Sequence, residues 1–290
     1  MGEAAARAGL FVFKQVARLP LPLIRRLAAP VGDLVYRLAG GRRHVTLTNL
    51  RLCFPDWTEQ RREQVARAHF RAFLITFFER FIFWFGPPER IRALCTIRGE
   101  EHLQTLQGRP AILLAPHFLG LDAGGIRVQV ERRVDSMYAQ QKSAVLTAAM
   151  TAGRSRFHGS RMILRNEGMR GAARTVRDGV PFYFLPDMDL GARDAVFVPF
   201  FGVPAATVTS VARLARLARA AVVPCVTLMT ERGYEVTLYE PWADYPPDDL
   251  EAATRQMNAF IEARVLEAPE QYLWSHKRFK TRPPGEAGFY

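Results

Sequence analysis

The chain has 290 residues, of which 49% are hydrophobic and 23% charged, with a formal net charge of +12 and a pI near 10.2. These are globular proportions and exclude wholesale disorder. The three cysteines, Cys53, Cys95 and Cys225, have neither metal-ligand nor paired spacing; they read as small buried hydrophobes and exclude a disulfide framework or a structural zinc site. The positive excess attracts nucleic acid, acidic lipid, phosphorylated substrates or an acidic carrier protein, and composition does not choose among these.

Residues 1–43 carry eight cations (Arg7, Lys14, Arg18, Arg25, Arg26, Arg37, Arg42, Arg43) against Glu3 and Asp33, among many Leu, Val and Phe. Charges and prolines interrupt the apolar runs, so neither a secretory signal nor a bilayer span is expected. The composition predicts an interfacial helical segment lying on anionic lipid, the alternative being amphipathic helices packed on the domain. A single α/β domain is expected over 44–290, with a helical front part at 58–86. There Thr58 suits a helix start, and Phe70, Phe73, Phe77, Phe81 and Trp84 share one helical stripe. That stripe reads as core, or else as the wall of a hydrocarbon pocket or a membrane-facing surface.

Beyond residue 95 the pattern alternates. "AILLAP" (111–116), "VDSMYA" (134–139), "VPFYFLP" (180–186), "AAVVPCV" (220–226) and "YEVTLYE" (234–240) read as strands, with "NEGMRGAARTVRDG" and "TVTSVARLARLARA" as helices between them. Residues 246–274 read as one capped helix. The fold class expected is α/β, a mixed central sheet flanked by helices, with chemistry at strand ends.

"HFLGLD" follows the first of these strands and places His117 five positions before Asp122. Five positions turn about 140° past the start on a helix, so the two side chains meet only if His117 lies in the loop and Asp122 in the first turn. Asp122 would then fix the imidazole tautomer and leave the other nitrogen as a base. The residues alone favour a structural histidine over a base. No serine or cysteine stands beside the pair, so a base here activates a nucleophile that the substrate brings. "GRSRFHGSR" gathers Arg154, Arg156 and Arg161 as a clamp for an oxyanion or as a solvated loop. "LPDMDLGARD" places Asp187, Asp189 and Arg193 directly after a strand, as turn formers or as a binding loop. "HKRFKTR" (276–282) reads as a further anion contact or a solvated tail.

Together, "NLRLCFPDWTEQRRE", "HFLGLD", "GRSR", "LPDMDLGARDAVFVPFFGVPAAT" and "APEQYLWSHKRFKTRPPG" resemble the late-acting lipid A acyltransferases, the lauroyl- and myristoyl-type members of the lysophospholipid acyltransferase superfamily. The resemblance covers nearly the whole chain and implies a glycerolipid acyltransferase-like fold. It implies transfer of a fatty acyl group from acyl carrier protein to the hydroxyl of a 3-hydroxyacyl chain on a lipid A precursor, at the cytoplasmic face of the bacterial inner membrane. No metal, cofactor or nucleic acid is implied. His117 and Asp122 match the family's His-x4-acid dyad, and Arg154 falls at an arginine associated with the oxyanion or donor. Arg156, Asp187, Asp189 and Arg193 are implied as substrate-binding, although "PDMDLGAR" departs from the "PEGTR" form of the glycerolipid enzymes. The competing readings are transfer to another acceptor such as a lysophospholipid, hydrolysis of an acyl ester, and non-catalytic lipid binding.

Overall fold

The computed structural model describes residues 3–106, 108–140, 143–164 and 169–290. Residues 166–168 of the helix expected over 166–179, and the first two residues of the N-terminal segment, lie outside the described residues.

Four helices come first: α1 (Glu3–Val16), α2 (Leu21–Leu38), α3 (Gly40–Cys53) and α4 (Glu59–Phe85). Thr58 caps α4 by accepting from the Arg61 amide, as its sequence predicts. After α5 (Pro88–Leu94) the chain alternates: β1 (Cys95–Arg98), α6 (Glu100–Gln104), β2 (Ala111–Leu114), α7 (Leu121–Gln129), β3 (Asp135–Tyr138), α8 (Ala144–Arg154), β4 (Met162–Leu164), α9 (Met169–Arg177) and β5 (Phe182–Phe184). A hairpin of β6 (Ala195–Phe200) and β7 (Val203–Val208) follows, then α10 (Ser210–Ala218), β8 (Ala221–Thr230), β9 (Gly233–Leu238) and α11 (Leu250–Glu267). The single helix expected over 246–274 is shorter. Asp249 caps its start, and after Glu267 the chain makes a 3-10 turn at Pro269–Gln271 and then extends.

The main sheet has the order β1-β9-β8-β2-β5-β3-β4. All its pairings are parallel except β8 with β9, so β1 and β9 run against the other five. The alternation of the strands divides the core. Ile112, Leu114, Phe182, Phe184 and Val222 point to the face covered by α9, α10 and α11. Leu113, Ala115, Tyr183, Val223 and Cys225 point to the face covered by α7, the C-terminal half of α4 and Phe13 of α1. Both faces are covered, and β2 is accordingly an unbroken apolar run.

The boundary expected at residue 43 falls inside α3. The N-terminal helices pack on α4: Leu21 and Ile24 are buried against Ile82, and a Cβ at Gly32 would lie 2.6 Å from the Arg71 backbone. Phe13 stacks on Phe81 at 4.2 Å. The aromatic stripe of α4 is therefore core, and Trp84 leans on Gly153 so closely that a Cβ there would sit 2.6 Å away. Their outer side is different. Phe11, Val12, Leu23, Leu27, Val31, Leu34 and Leu38 are all exposed, and on α2 they recur every three or four residues as one stripe. Among the described residues no helix is long and apolar enough to cross a membrane.

A charged pair fastens α2 to α4 and to the β8–β9 hairpin. The wholly buried Glu79 carboxylate accepts from Arg25 Nε at 2.7 Å and from the Tyr234 hydroxyl. Arg25 also donates to the carbonyls of Thr230, Glu231 and Gly233. Burial raises the Glu79 carboxyl, and the Arg25 guanidinium opposes that rise. Removing the cation strands the carboxylate. Arg25→Ala should lower the unfolding free energy by about 3–5 kcal/mol, and adding Glu79→Gln should recover part of the loss, as read from urea unfolding curves.

Candidate active site

His117 is fixed from three sides. It is the third residue past the end of β2, its carbonyl accepts from the Leu273 amide, and the next residue, Phe118, bridges Tyr272. The loop is further fastened by the Leu119 amide donating to Gln271. α7 then begins against β8 so closely that a Cβ at Gly124 would lie 1.9 Å from Thr227 Oγ1, which accounts for glycine there.

The carboxylate expected beside His117 was Asp122. The structure corrects this: His117 Nδ1 lies 2.7 Å from Asp187 Oδ1, and the His117 backbone amide donates to the same carboxylate at 3.0 and 3.2 Å. The physical reason is strand register. Leu114 of β2 pairs with Phe184 of β5, and His117 and Asp187 each stand three residues beyond those partners. Parallel neighbours of equal offset meet at the same level above the sheet. Asp187 is wholly buried and also accepts from the Tyr272 hydroxyl at 2.9 Å. Burial alone would raise its pKa, but His117 and these donors outweigh it and hold the carboxyl at about 2. An ionised carboxylate brings no proton to the contact, so Nδ1 must carry it. With its proton on Nδ1, a neutral imidazole would leave Nε2 unprotonated, and His117 lines the cavity.

Asp122, in the first turn of α7, faces α4 and α8 instead. Arg154, the last residue of α8, grips it with Nε at 2.6 Å and Nη2 at 3.0 Å. Arg80 of α4 approaches at 3.5 Å, its guanidinium lying over the rings of Phe77 and Trp84. Burial pushes the Asp122 carboxyl up, and Arg154 and Arg80 overcome it to bring the pKa to about 2. Two guanidinia on one carboxylate leave this corner with a net positive charge. Arg80 went unnoticed in the sequence, although "ERFIFWF" carried the signal: a charge inside an aromatic helix is stable only with a buried partner.

The remaining candidates separate. Arg193 lines the cavity mouth with its side chain 97% exposed. Arg156 does not line the cavity; it donates to the carbonyls of Phe83 and Gly86 at 2.7 Å each and closes the C-terminus of α4. Asp189 is a buried fastener, accepting from the amides of Gly191 and Thr281 and from the Thr281 hydroxyl. "HKRFKTR" is largely no solvated tail: Arg278 and Phe279 are buried, and Arg278 donates to the Ala206 carbonyl and Thr207 hydroxyl of β7. Burial brings the His276 pKa to about 4, and its Nε2 accepts from the Asp189 amide.

His117, Asp122 and Arg154 share one cavity of about 550 Å³ at the carboxyl ends of β2, β3 and β5. Much of its lining is apolar, with Leu121, Ile126, Tyr183 and Phe184, and four of the chain's eight methionines (Met137, Met162, Met169, Met188) line it. The arrangement offers a base of fixed tautomer, a cation held to one side, and room for a flexible apolar chain.

Asp122 has a folded pKa of about 2 against an ordinary 3.8. A depressed carboxylate stabilises the fold above about pH 4, and the contribution disappears as pH falls through about 2. Wild type and Asp122→Asn should therefore differ in unfolding free energy by about 2 kcal/mol at neutral pH and converge near pH 2, in denaturant titrations run at each pH.

The sequence model of the family described as bacterial lipid A biosynthesis acyltransferase matches residues 2–281. The chain is 33% identical to the lipid A biosynthesis lauroyltransferase of Escherichia coli (strain K12) over 287 residues, covering 97% of this chain and 93% of that protein. It is 32% identical to the lipid A biosynthesis palmitoleoyltransferase of the same organism, with the same coverage. A lipid A biosynthesis acyltransferase of Haemophilus influenzae is 34% identical over 96% of this chain and 88% of its own length. With a family match running through every element that builds the cavity, the chain belongs to the bacterial lipid A biosynthesis acyltransferases.

Proposed function

We propose that this acyltransferase moves a fatty acyl group from acyl carrier protein to the hydroxyl of a 3-hydroxyacyl chain on a lipid A precursor. The observation that carries the mechanism is the Asp187–His117 contact, which makes Nε2 the available base at the wall of an apolar cavity. Nε2 takes the acceptor's hydroxyl proton as that oxygen bonds to the thioester carbonyl carbon. Negative charge gathers on the carbonyl oxygen, facing Arg154 and the first free amides of α7. Arg154 spends Nε and Nη2 on Asp122, which leaves Nη1 for the oxyanion. The intermediate then collapses: the carbon–sulfur bond breaks, and the leaving thiolate recovers the proton from the imidazolium. Asp187 holds the imidazole in register throughout and stabilises its cationic form.

The acyl chain lies along the methionine-lined apolar wall. Methionine is unbranched and adapts its rotamers, which suits a flexible hydrocarbon. Hydrolysis is the second reading, and water entering the same site would support it; a cavity this apolar favours a lipid hydroxyl over water.

We also propose that the enzyme rests on the anionic membrane surface, at the cytoplasmic face where the carrier protein is available. The support is the exposed stripe on α2 with Arg26 and Arg37 beside it, a helix with its polar links turned inward and its leucines turned out.

His117→Ala should lower kcat by roughly 10³-fold, and Asp187→Asn by roughly 10²–10³-fold, with the folded state retained by circular dichroism. Wild-type turnover in His117→Ala overturns the base assignment. Wild-type turnover in Asp187→Asn overturns the part given to Asp187 in orienting the imidazole. Leu27→Glu with Leu34→Glu should abolish sedimentation with phosphatidylglycerol vesicles at unchanged thermal stability, since each buried leucine contributes about 1.5–3 kcal/mol. Retained sedimentation assigns the lipid contact elsewhere.

A further inference from the structure

Two surface regions rich in positive charge differ in character. The N-terminal helices combine cations with seven exposed large apolar side chains. The second place is the pair α9 and α10. Residues 169–178 and 210–219 hold six arginines, Arg170, Arg174, Arg177, Arg213, Arg216 and Arg219, with Asp178 as the sole acid. The two helices bury Ala172, Ala173 and Val176, and Val211, Leu214 and Ala215, in one core, and this spacing turns every one of the arginines outward.

Some of these cations also hold the fold together. Arg177 donates to the Leu217 carbonyl, Arg213 pairs with Asp194, and Arg216 donates to the Asp248 carbonyl. Arg170 and Arg174, one turn apart on α9, form no ion pair with another described residue. Among the large apolar side chains of the two helices only Leu217 is exposed. A lipid surface is held by apolar insertion together with charge. A cationic face with almost no apolar content suits a soluble acidic partner, found by steering and kept in register by complementary charge.

This face adjoins the site. Met169 at the start of α9 and Ser210 at the start of α10 both line the cavity, and Arg174 lies about 8 Å along the helix axis from Met169. The face also lies across the sheet from α7 and α1, away from the side on which Phe13 packs. We propose that the arginines of α9 and α10 form the docking surface for the acidic acyl carrier protein, so that its thioester arm enters the cavity past Met169 and Ser210. This rests on the carrier protein being the donor.

The test compares two donors on the full-length protein, dodecanoyl-acyl carrier protein and dodecanoyl-pantetheine, which carries the same thioester without the protein. Arg170→Glu with Arg174→Glu should raise KM for the carrier-bound donor roughly tenfold or more at nearly unchanged kcat, and leave the pantetheine thioester unaffected. The same positions changed to lysine should keep most of the wild-type KM. An unchanged carrier KM, or equal losses with both donors, overturns the docking surface. So does lost binding to phosphatidylglycerol vesicles at unchanged carrier KM, which would assign the arginines to lipid. Wild-type protein that transfers from pantetheine but never from the carrier overturns the donor reading itself, and the docking surface with it.

Discussion

A carboxylate that water cannot reach has to be surrounded by donors, and Asp187 organises the site around that requirement. It has no exposed surface, and its oxygens take the His117 amide, the His117 ring and the Tyr272 hydroxyl. These donors come from two distant parts of the chain: the loop after β2, and the extended segment after α11. Moving β5 by one residue against β2 would carry Asp187 to the other side of the sheet. The position of the imidazole is thus a consequence of sheet register, and so is its tautomer. The C-terminal segment is drawn in by the same demand, which explains why most of "QYLWSHKRF" is packed on the domain and not trailing.

The second acid answers a different demand. Arg154 and Arg80 enter the apolar layer between α4, α7 and α8, where an unpaired guanidinium would be costly. Asp122 makes their presence tolerable and holds Arg154 with a two-point grip that fixes the plane of the guanidinium. One acid thus orients a base and the other orients a cation. Had Asp122 served the histidine, Arg154 would have faced the cavity with nothing to define its direction.

What could be read in the sequence follows from distance along the chain. The five expected strands and the long helix with its Thr58 cap rest on local periodicity, and each has a counterpart in the structure at nearly the same place. The partner of His117 lies 70 residues away, reached through a pairing of β2 with β5 that no local pattern announces. Asp122 was five residues off and of the right type, so proximity favoured it. The β6–β7 hairpin was missed because "AVFVPFFGVPAATV" carries two prolines and reads as loop; both fall at matched positions, Pro199 opposite Pro204, in a two-stranded ribbon outside the main sheet. Arg156 stood in the same arginine cluster as Arg154. Two positions further on, beyond the end of α8, it meets helix-end carbonyls instead of a cavity.

The polar and the apolar parts of the cavity lining are held by different forces. At the reacting end every functional group is held by at least two short polar contacts and backed by core. Displacing any one of them strands a buried charge, so the positions are sharply defined. Elsewhere four methionines form part of the wall, with three rotatable bonds each and no directional contact to satisfy. A wall of that kind changes shape at little cost. Substitution there reshapes the wall without stranding a buried charge, whereas substitution of His117, Asp187, Asp122 or Arg154 breaks the polar contacts themselves. Under the proposed acyl transfer, the chain that fits can therefore change while the His117–Asp187 and Arg154–Asp122 pairs stay in place.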